Sequence, residues 1–401
     1  MINLETPKKF QPLVDQANQV ATEVFRPISR KYDEEEHAYP KELDMLASLI
    51  DGMNEGGESA SGAAGVRREK TGEEGNRNGS NLSTVLGIIE LCWGDVGLLL
   101  SLPRQGLGNS AIASVATDEQ LERYGGKWAA MAITEPEAGS DSAAIRTTAE
   151  RDGDEYVLNG EKIFVTSGDR ADLIVVWATL DRSKGRAAIK SFIVERDNPG
   201  LRLDRLEHKL GIRASDTANF TLQDCRVPKE ALLGSPEIDT KQGFGGAMQT
   251  FDNTRPLVAA MAVGVTRAAL EETRERLEQA GVEIDDDAPA LSQSAAAARY
   301  LEMEADYEAA RLLTLQAAWM ADNGKPNSLQ ASMAKAKAGR ACVDVTLGCV
   351  ELCGSVGYGE GELLEKWARD AKILDLFEGT QQIQLLIVAR QLLGKTSAEL
   401  R

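Results

Sequence analysis

The chain has 401 residues, which is too long for one ordinary hydrophobic core and predicts two or three domains or layers. Its composition is 42% hydrophobic and 27% charged, which suits a globular protein with a sizeable interior. A net charge of −18 excludes a general affinity for nucleic acid or anionic membranes, so a phosphate-bearing ligand needs a local group of cationic or N–H donors.

The cysteine and histidine content limits the kinds of disulfide, catalytic and metal site that the chain can contain. The five cysteines form no C-x-x-C pair and no even-numbered disulfide set, which favours a reduced, cytoplasmic compartment. His37 and His208 are the only histidines, which argues against His-based triads and His-rich metal sites. We expect no signal peptide, and no apolar run of about 18 residues predicts a membrane span.

The hydrophobic pattern divides the chain into helical, β and helical parts, an α+β fold that is mainly α. Residues 1–127 have apolar residues at helical spacing and predict an N-terminal helical domain, with a mobile surface loop over 51–80. Residues 128–237 contain short β-branched and aromatic segments between turn formers, which predicts a central antiparallel β domain. Residues 238–401 predict a C-terminal helical bundle, broken at roughly 281–290 and again near 323–326.

One carboxylate near the end of the chain is a candidate general base. Glu378 follows an apolar run and precedes Gly379 and Thr380. Apolar neighbours can desolvate the carboxylate and raise its pKa toward the working pH of a base. Gly379 permits a tight turn or the close approach of a ligand. The alternative is an ordinary helix-end carboxylate.

Three other segments have residues suited to ligand binding. Residues 131–141 place small and hydroxyl residues around Pro136 and Gly139, which suits a flat heteroaromatic ring or a phosphate, or simply a polar turn. Residues 210–217 place one Arg among hydroxyl groups. Residues 251–256 place an acid and an Arg at the start of a long helix.

Together, in this order, the segments resemble the acyl-CoA dehydrogenase family over roughly residues 85–395. The most specific matches are Thr134–Asp141, Asn159–Lys162, Gly211–Thr217, Arg369–Lys372 and Glu378–Gln384. The resemblance implies an N-terminal helical domain, a central β domain and a C-terminal four-helix bundle. It also implies FAD as cofactor, an acyl-CoA thioester as substrate and an electron-transfer flavoprotein as partner.

The resemblance further implies a reaction and a set of site residues. Glu378 would remove the α proton while a β hydride passes to flavin N5, giving a trans-2-enoyl-CoA. The Glu378 N–H and a ribityl hydroxyl would bind the developing enolate oxygen. Residues matching flavin contacts are Ile133, Thr134, Gly139, Ser140, Phe164, Thr166, Thr380 and Gln382. Residues matching substrate contacts are Ser140, Phe251, Asp252, Arg255, Phe377 and Gly379.

Two segments depart from the family pattern. By the resemblance, relatives carry an Arg that reaches the FAD pyrophosphate of a neighbouring subunit, but the matching residues 277–287 contain no Arg and five acids. Residues 351–355 replace a segment with Gln and paired glycines that serves the same FAD. A homodimer or homotetramer and a heteromer with a related subunit therefore both stay open. A non-catalytic scaffold subunit, an acyl-CoA oxidase and a flavin monooxygenase are further alternatives, and acyl chain length and branching are not specified.

Overall fold

The computed structural model describes residues 6–55, 78–104, 106–238, 245–396 and 399, without the side chains of 49–55 and 245–253. The elements follow the predicted order of helices, sheet and helices. Most of the loop predicted over 51–80 lies outside the described residues, at 56–77. Residues 51–55 differ from that prediction because they continue a helix. Met and Glu favour a helix there and outweigh the single Gly52.

Seven helices form the N-terminal part of the described chain. They are α1 (Gln11–Val20), α2 (Arg26–Glu34), α3 (Glu42–Glu55), α4 (Ser80–Gly94), α5 (Val96–Leu99), α6 (Leu107–Val115) and α7 (Asp118–Tyr124). A π-helical turn over Ala21–Phe25 joins α1 to α2. Thr117 and Gln120 begin α7 with a capping box, in which each side chain accepts a hydrogen bond from the other residue's backbone N–H.

A seven-stranded sheet follows. Its strands are β1 (Ala129–Ala132), β2 (Thr148–Asp152), β3 (Glu155–Thr166), β4 (Leu173–Thr179), β5 (Ile189–Glu195), β6 (Leu201–Leu206) and β7 (Thr217–Pro228). The strand order is β1-β4-β2-β3-β7-β6, with β5 beside β4. Most neighbours are antiparallel as expected, but β4 is parallel to β1 and, at one residue pair, to β2. The intervening 133–172 segment supplies the long crossover that the parallel β1–β4 pair needs.

Five helices form the C-terminal bundle of the described chain. They are α8 (Gly245–Gln279), α9 (Ala295–Asp322), α10 (Ser328–Tyr358), α11 (Leu364–Leu374) and α12 (Gln381–Leu393). Gly281 and Gly324, both with positive φ, lie in the two predicted breaks. By length and apolar content α10 could span a membrane. It is instead surrounded by α8, α9, α11 and α12, which accounts for its apolar composition.

Residues of α11 join the three parts of the molecule. Arg369 forms a two-point ion pair with Asp33 of α2, at 3.0 and 2.5 Å. Asp370 accepts a hydrogen bond from the Ile212 N–H at 2.5 Å. Gly211 packs so closely that a Cβ there would lie 2.6 Å from the Arg369 backbone. These contacts fix the position of the sheet relative to the turn that follows α11.

Candidate active site

A cavity of about 1660 Å³ opens where the N-terminal helices, the sheet and the bundle meet. Many of its wall residues are apolar, including Leu91, Leu257 and Met261. Predicted site residues from the central and C-terminal parts of the sequence border it: Ile133, Thr134, Gly139, Ser140, Phe164, Thr166, Phe377, Glu378, Gly379 and Thr380. An apolar cavity with a few polar groups is the composition of a small-molecule site.

Glu378 lies in a strained turn between α11 and α12. Its φ is 55° and that of Gly379 is 90°, and a Glu rarely adopts the left-handed region. A Cβ at residue 379 would lie 2.4 Å from Nε2 of Gln384, which explains the glycine. The Gln384 amide donates to the carbonyls of Glu378 and Gly379, at 3.2 and 3.1 Å. Nζ of the fully buried Lys335 donates to the Gly379 carbonyl at 2.7 Å. These bonds hold the backbone that carries the carboxylate.

The Glu378 carboxylate has the electrostatic surroundings of a base. Burial raises its pKa, against opposing effects of a hydrogen bond from Thr254 and the charges of Lys335 and Arg255. Oγ1 of Thr254 donates to Oε2 of Glu378 at 2.9 Å. Burial also lowers the pKa of Lys335 to about 8, although Asp375 and Glu378 oppose the shift. A carboxylate with a raised pKa can exchange a proton closer to neutral pH.

A buried ion pair holds the loop that follows β1. Nζ of the fully buried Lys162 on β3 lies 2.7 Å from Oε1 of Glu135 and donates to the Ile133 carbonyl at 3.1 Å. Glu135 also accepts hydrogen bonds from the Thr147 hydroxyl at 2.6 Å and from two backbone N–H groups. Burial would raise the pKa of Glu135, but Lys162 and these donors lower it overall. Glu135 therefore stays ionised and shapes the loop.

Four predicted site residues are not seen at the large cavity. Two of them do not border it, and the side chains of the other two are not described. Gln382 is exposed on the first turn of α12. Phe251 and Asp252 lie in the part of α8 whose side chains the structure does not describe. Arg255 is buried and borders a second cavity of about 540 Å³, together with Arg390 and other polar residues. Their assigned roles stay predictions.

The structure adds positioning residues that the sequence interpretation missed. Gln384, Glu135 and Lys162 stand inside the quoted motifs, but nothing in the pattern showed that their side chains hold the two loops. The role of Lys335 could have been suspected from the sequence, because it shares a helix face with Ala331 and Ala338 at spacings of four and three residues. Both alanines are buried, so a lysine on that face must find a polar partner.

The cavity wall has the chemistry to hold a flat heteroaromatic group with polar edges. The hydroxyl residues Thr134, Thr166 and Thr380 border a space that is otherwise rich in apolar side chains. A Cβ added at Gly139 would meet nothing within 4 Å, so the loop leaves open room there. Within the described residues, no hydrogen bond uses the Glu378 N–H, which can therefore serve a ligand oxygen.

Comparisons with known proteins agree on one family. The chain matches the model for the acyl-CoA dehydrogenase middle domain over residues 130–225 and that for the acyl-CoA dehydrogenase C-terminal domain over residues 241–393. It is 35% identical over 400 residues to the mitochondrial short-chain specific acyl-CoA dehydrogenase of Bos taurus, covering 98% of this chain and 92% of the relative.

Solved structures are also similar to this chain. Butyryl-CoA dehydrogenase from Megasphaera elsdenii is similar with a TM-score of 0.83 and 32% identity, over 98% of this chain and 100% of the other. A chain solved in work on the electron transferring flavoprotein of Acidaminococcus fermentans and flavin-based electron bifurcation has a TM-score of 0.79 and 33% identity. That match covers 98% of this chain and 100% of the other.

Proposed function

This chain belongs to the acyl-CoA dehydrogenase family and is an acyl-CoA dehydrogenase, and from that premise we propose how its own residues perform the reaction. The enzyme converts an acyl-CoA thioester to the trans-2-enoyl-CoA, with Glu378 as the base. The observation that carries this proposal is the raised pKa of a cavity-wall carboxylate whose turn is fixed by Lys335 and Gln384.

Glu378 takes the proton from the α carbon. A C–H bond beside a thioester is a weak acid, so the base needs a pKa near the working pH. Burial raises the pKa of Glu378, and the Thr254 hydroxyl limits that rise. The Glu378 N–H donates to the thioester oxygen, on which negative charge develops as the proton leaves. The rigid turn presents the carboxylate and the N–H to one substrate.

FAD is the cofactor that the wall residues suit. When bound, it supplies the acceptor for the β hydride. Residues of three segments would hold it: Ile133, Thr134, Gly139 and Ser140 after β1, Phe164 and Thr166 at the end of β3, and Thr380 at the start of α12. The Lys162–Glu135 ion pair holds the loop after β1, which carries the first of these groups. Gln382 does not border the cavity, and a contact with FAD is proposed for it from the family resemblance alone.

The CoA thioester occupies the remaining part of the site. Ser140, Asp252 and Arg255 would contact the CoA portion, while Gly379 and the aromatic residues Phe251 and Phe377 would line the acyl side. The bovine relative is named short-chain specific, and the Megasphaera structure is a butyryl-CoA dehydrogenase. Butyryl-CoA is therefore the first substrate to test.

The enzyme would form a homodimer or homotetramer and pass electrons to an electron-transfer flavoprotein. A heteromer is the second candidate, because Glu283, Asp285 and Asp287 are exposed in the turn after α8. By the family resemblance this turn faces the FAD pyrophosphate of a neighbouring subunit. Like charges about 4 Å apart repel by about 4 kcal/mol at an effective dielectric constant of 20. A related subunit with an Arg at this position would remove the repulsion.

Anaerobic flavin reduction tests the proposed reaction. The purified chain is titrated with butyryl-CoA and then with longer and branched acyl-CoA thioesters while the flavin absorbance is recorded. We expect bleaching with at least one thioester, followed by rapid reoxidation by an electron-transfer flavoprotein and slow reoxidation by oxygen. A flavin-loaded chain that no thioester bleaches would contradict the dehydrogenase assignment. Nearly one FAD per chain in the protein purified alone would exclude the heteromer.

A further inference from the structure

The only two histidines of the chain meet in the folded protein. His37 and His208 are 171 positions apart, so no sequence motif connects them. Their ring centroids are nevertheless 5.0 Å apart. The carboxylate of Glu36 lies beside them, with Oε2 2.8 Å from Nδ1 of His208. One potential ligand atom from each of the three residues lies within 4.8 Å of the other two.

The ring of His37 lacks the partners that a buried imidazole normally has. Both its ring nitrogens are shielded from solvent and make no hydrogen bond within the part of the chain that the structure describes. Buried polar atoms in native proteins are nearly always paired with protein, water or an ion. A cation between the two rings would give one of these nitrogens a partner.

We propose that Glu36, His37 and His208 bind one Zn²⁺-type divalent cation. Two imidazoles and a carboxylate form a donor set that zinc accepts in tetrahedral sites, with water as the fourth ligand. Magnesium and calcium prefer all-oxygen sites, so this set selects against them. Zinc bond lengths of about 2.0–2.2 Å place neighbouring ligand atoms about 3.3 Å apart. The His208 side chain is 84% exposed, so its ring can rotate to close the remaining gap.

The site connects two parts of the molecule at the edge of the large cavity. Glu36 and His37 follow α2, whereas His208 follows β6 and borders the cavity. Glu36 already accepts a hydrogen bond from the Lys209 N–H at 2.8 Å, which ties the same two segments together. A bound cation therefore cross-links the N-terminal helices to the sheet.

Calorimetric titration of the chelator-treated flavoprotein with zinc chloride tests the proposal. We expect one Zn²⁺ per chain, and a loss of affinity of about tenfold or more in His208→Ala and in His37→Asn. Asparagine is chosen because the φ of His37 is 71° and Asn tolerates that region. Glu35→Gln is the matched control, because Glu35 is an exposed acid in the same turn, and it should bind zinc like the wild type.

Thermal unfolding supplies an independent readout. Zinc, but not magnesium, should raise the Tm of the wild type in a concentration-dependent way, and the rise should be absent in the double variant H37N/H208A. Zinc binding by the double variant with wild-type affinity would place the ion at other groups, such as the cysteines, and would overturn the proposal. A wild type that binds no zinc would overturn it as well.

Discussion

Two glutamates of this enzyme lie next to fully buried lysines, yet their carboxylates behave in opposite ways. Lys162 contacts Glu135 directly at 2.7 Å, and the pKa of Glu135 is lowered. Lys335 instead donates to the Gly379 carbonyl, beside Glu378, whose pKa is raised. Burial lowers the pKa of both lysines to about 8. The same two residue types thus form a direct ion pair in one place and leave a carboxylate with a raised pKa in the other.

The difference depends on which atom the lysine contacts. A direct ion pair stabilises the charged carboxylate and removes it from proton transfer at neutral pH. A lysine that donates to the neighbouring carbonyl stabilises the turn. Its charge still lowers the pKa of the carboxylate, but without a direct hydrogen bond to it. A glutamate beside a buried lysine is therefore not identified as a catalytic base by that neighbour alone, and the hydrogen-bond partner of the ammonium group has to be known.

The largest expected effect is the loss of turnover in Glu378→Gln. The amide keeps the size of the side chain but cannot accept the α proton, so kcat should fall by about 10²–10⁴-fold. Stopped-flow flavin reduction measures this step directly. Thioester binding, followed by the spectral shift of the oxidised flavin, should persist. Reduction at more than a tenth of the wild-type rate would contradict the role of Glu378 as base.

Glu135→Gln should cause the largest loss of stability, because it leaves the Lys162 charge buried without a carboxylate. Breaking one side of a buried ion pair costs about 3–5 kcal/mol in unfolding free energy. Urea denaturation measures the loss, and flavin content should fall with it. Glu137→Gln is the matched control, because Glu137 pairs with Arg146 at the exposed surface and should cost less than about 1 kcal/mol. Similar losses in both variants would show that the buried pair has no special role.

Lys335→Met should move the acid limb of the pH–rate profile to higher pH. Lys335 is protonated below pH about 8 and then lowers the pKa of Glu378, so its removal raises that pKa. We expect a shift of about one pH unit in the anaerobic reduction rate. Lys337→Met is the control on the same helix, because Lys337 pairs with Asp306 instead. An unchanged profile in Lys335→Met would limit the lysine to holding the backbone.

The smallest expected effect is a gain of stability in Glu378→Gln. The folded pKa of Glu378 lies above the ordinary value of 4.5, so the folded state binds more protons between these two pKa values. Its stability therefore falls as pH rises through that window, and the full cost of the buried charge is present above it. The variant should be more stable than the wild type by about 1 kcal/mol near pH 7.5. In urea denaturation the difference should vanish toward pH 4.5.

Sequence patterns predicted much of the architecture and most of the proposed site residues that border the large cavity. Helical spacing, β-branched segments and turn residues indicated the order of the three parts, and the apolar run before Glu378 predicted a carboxylate with a raised pKa. The patterns could not show that Lys335 and Thr254 approach the Glu378 turn, because those contacts span 44 and 124 residues. Nor could they distinguish a lysine on a carboxylate from one on a carbonyl, which decides the protonation of the glutamate.

The contact between Arg369 and Asp33 also affects when the enzyme becomes active during folding. It spans 336 residues, and Glu378 lies shortly after Arg369 in the chain. Long-range contacts of this kind are closed late, after local helices and hairpins have formed. During synthesis the loop after β1 leaves the ribosome well before the segment that carries Glu378. Turnover therefore reports that the distant segments have docked, whereas helical content can develop earlier, and the two signals should separate in a refolding experiment.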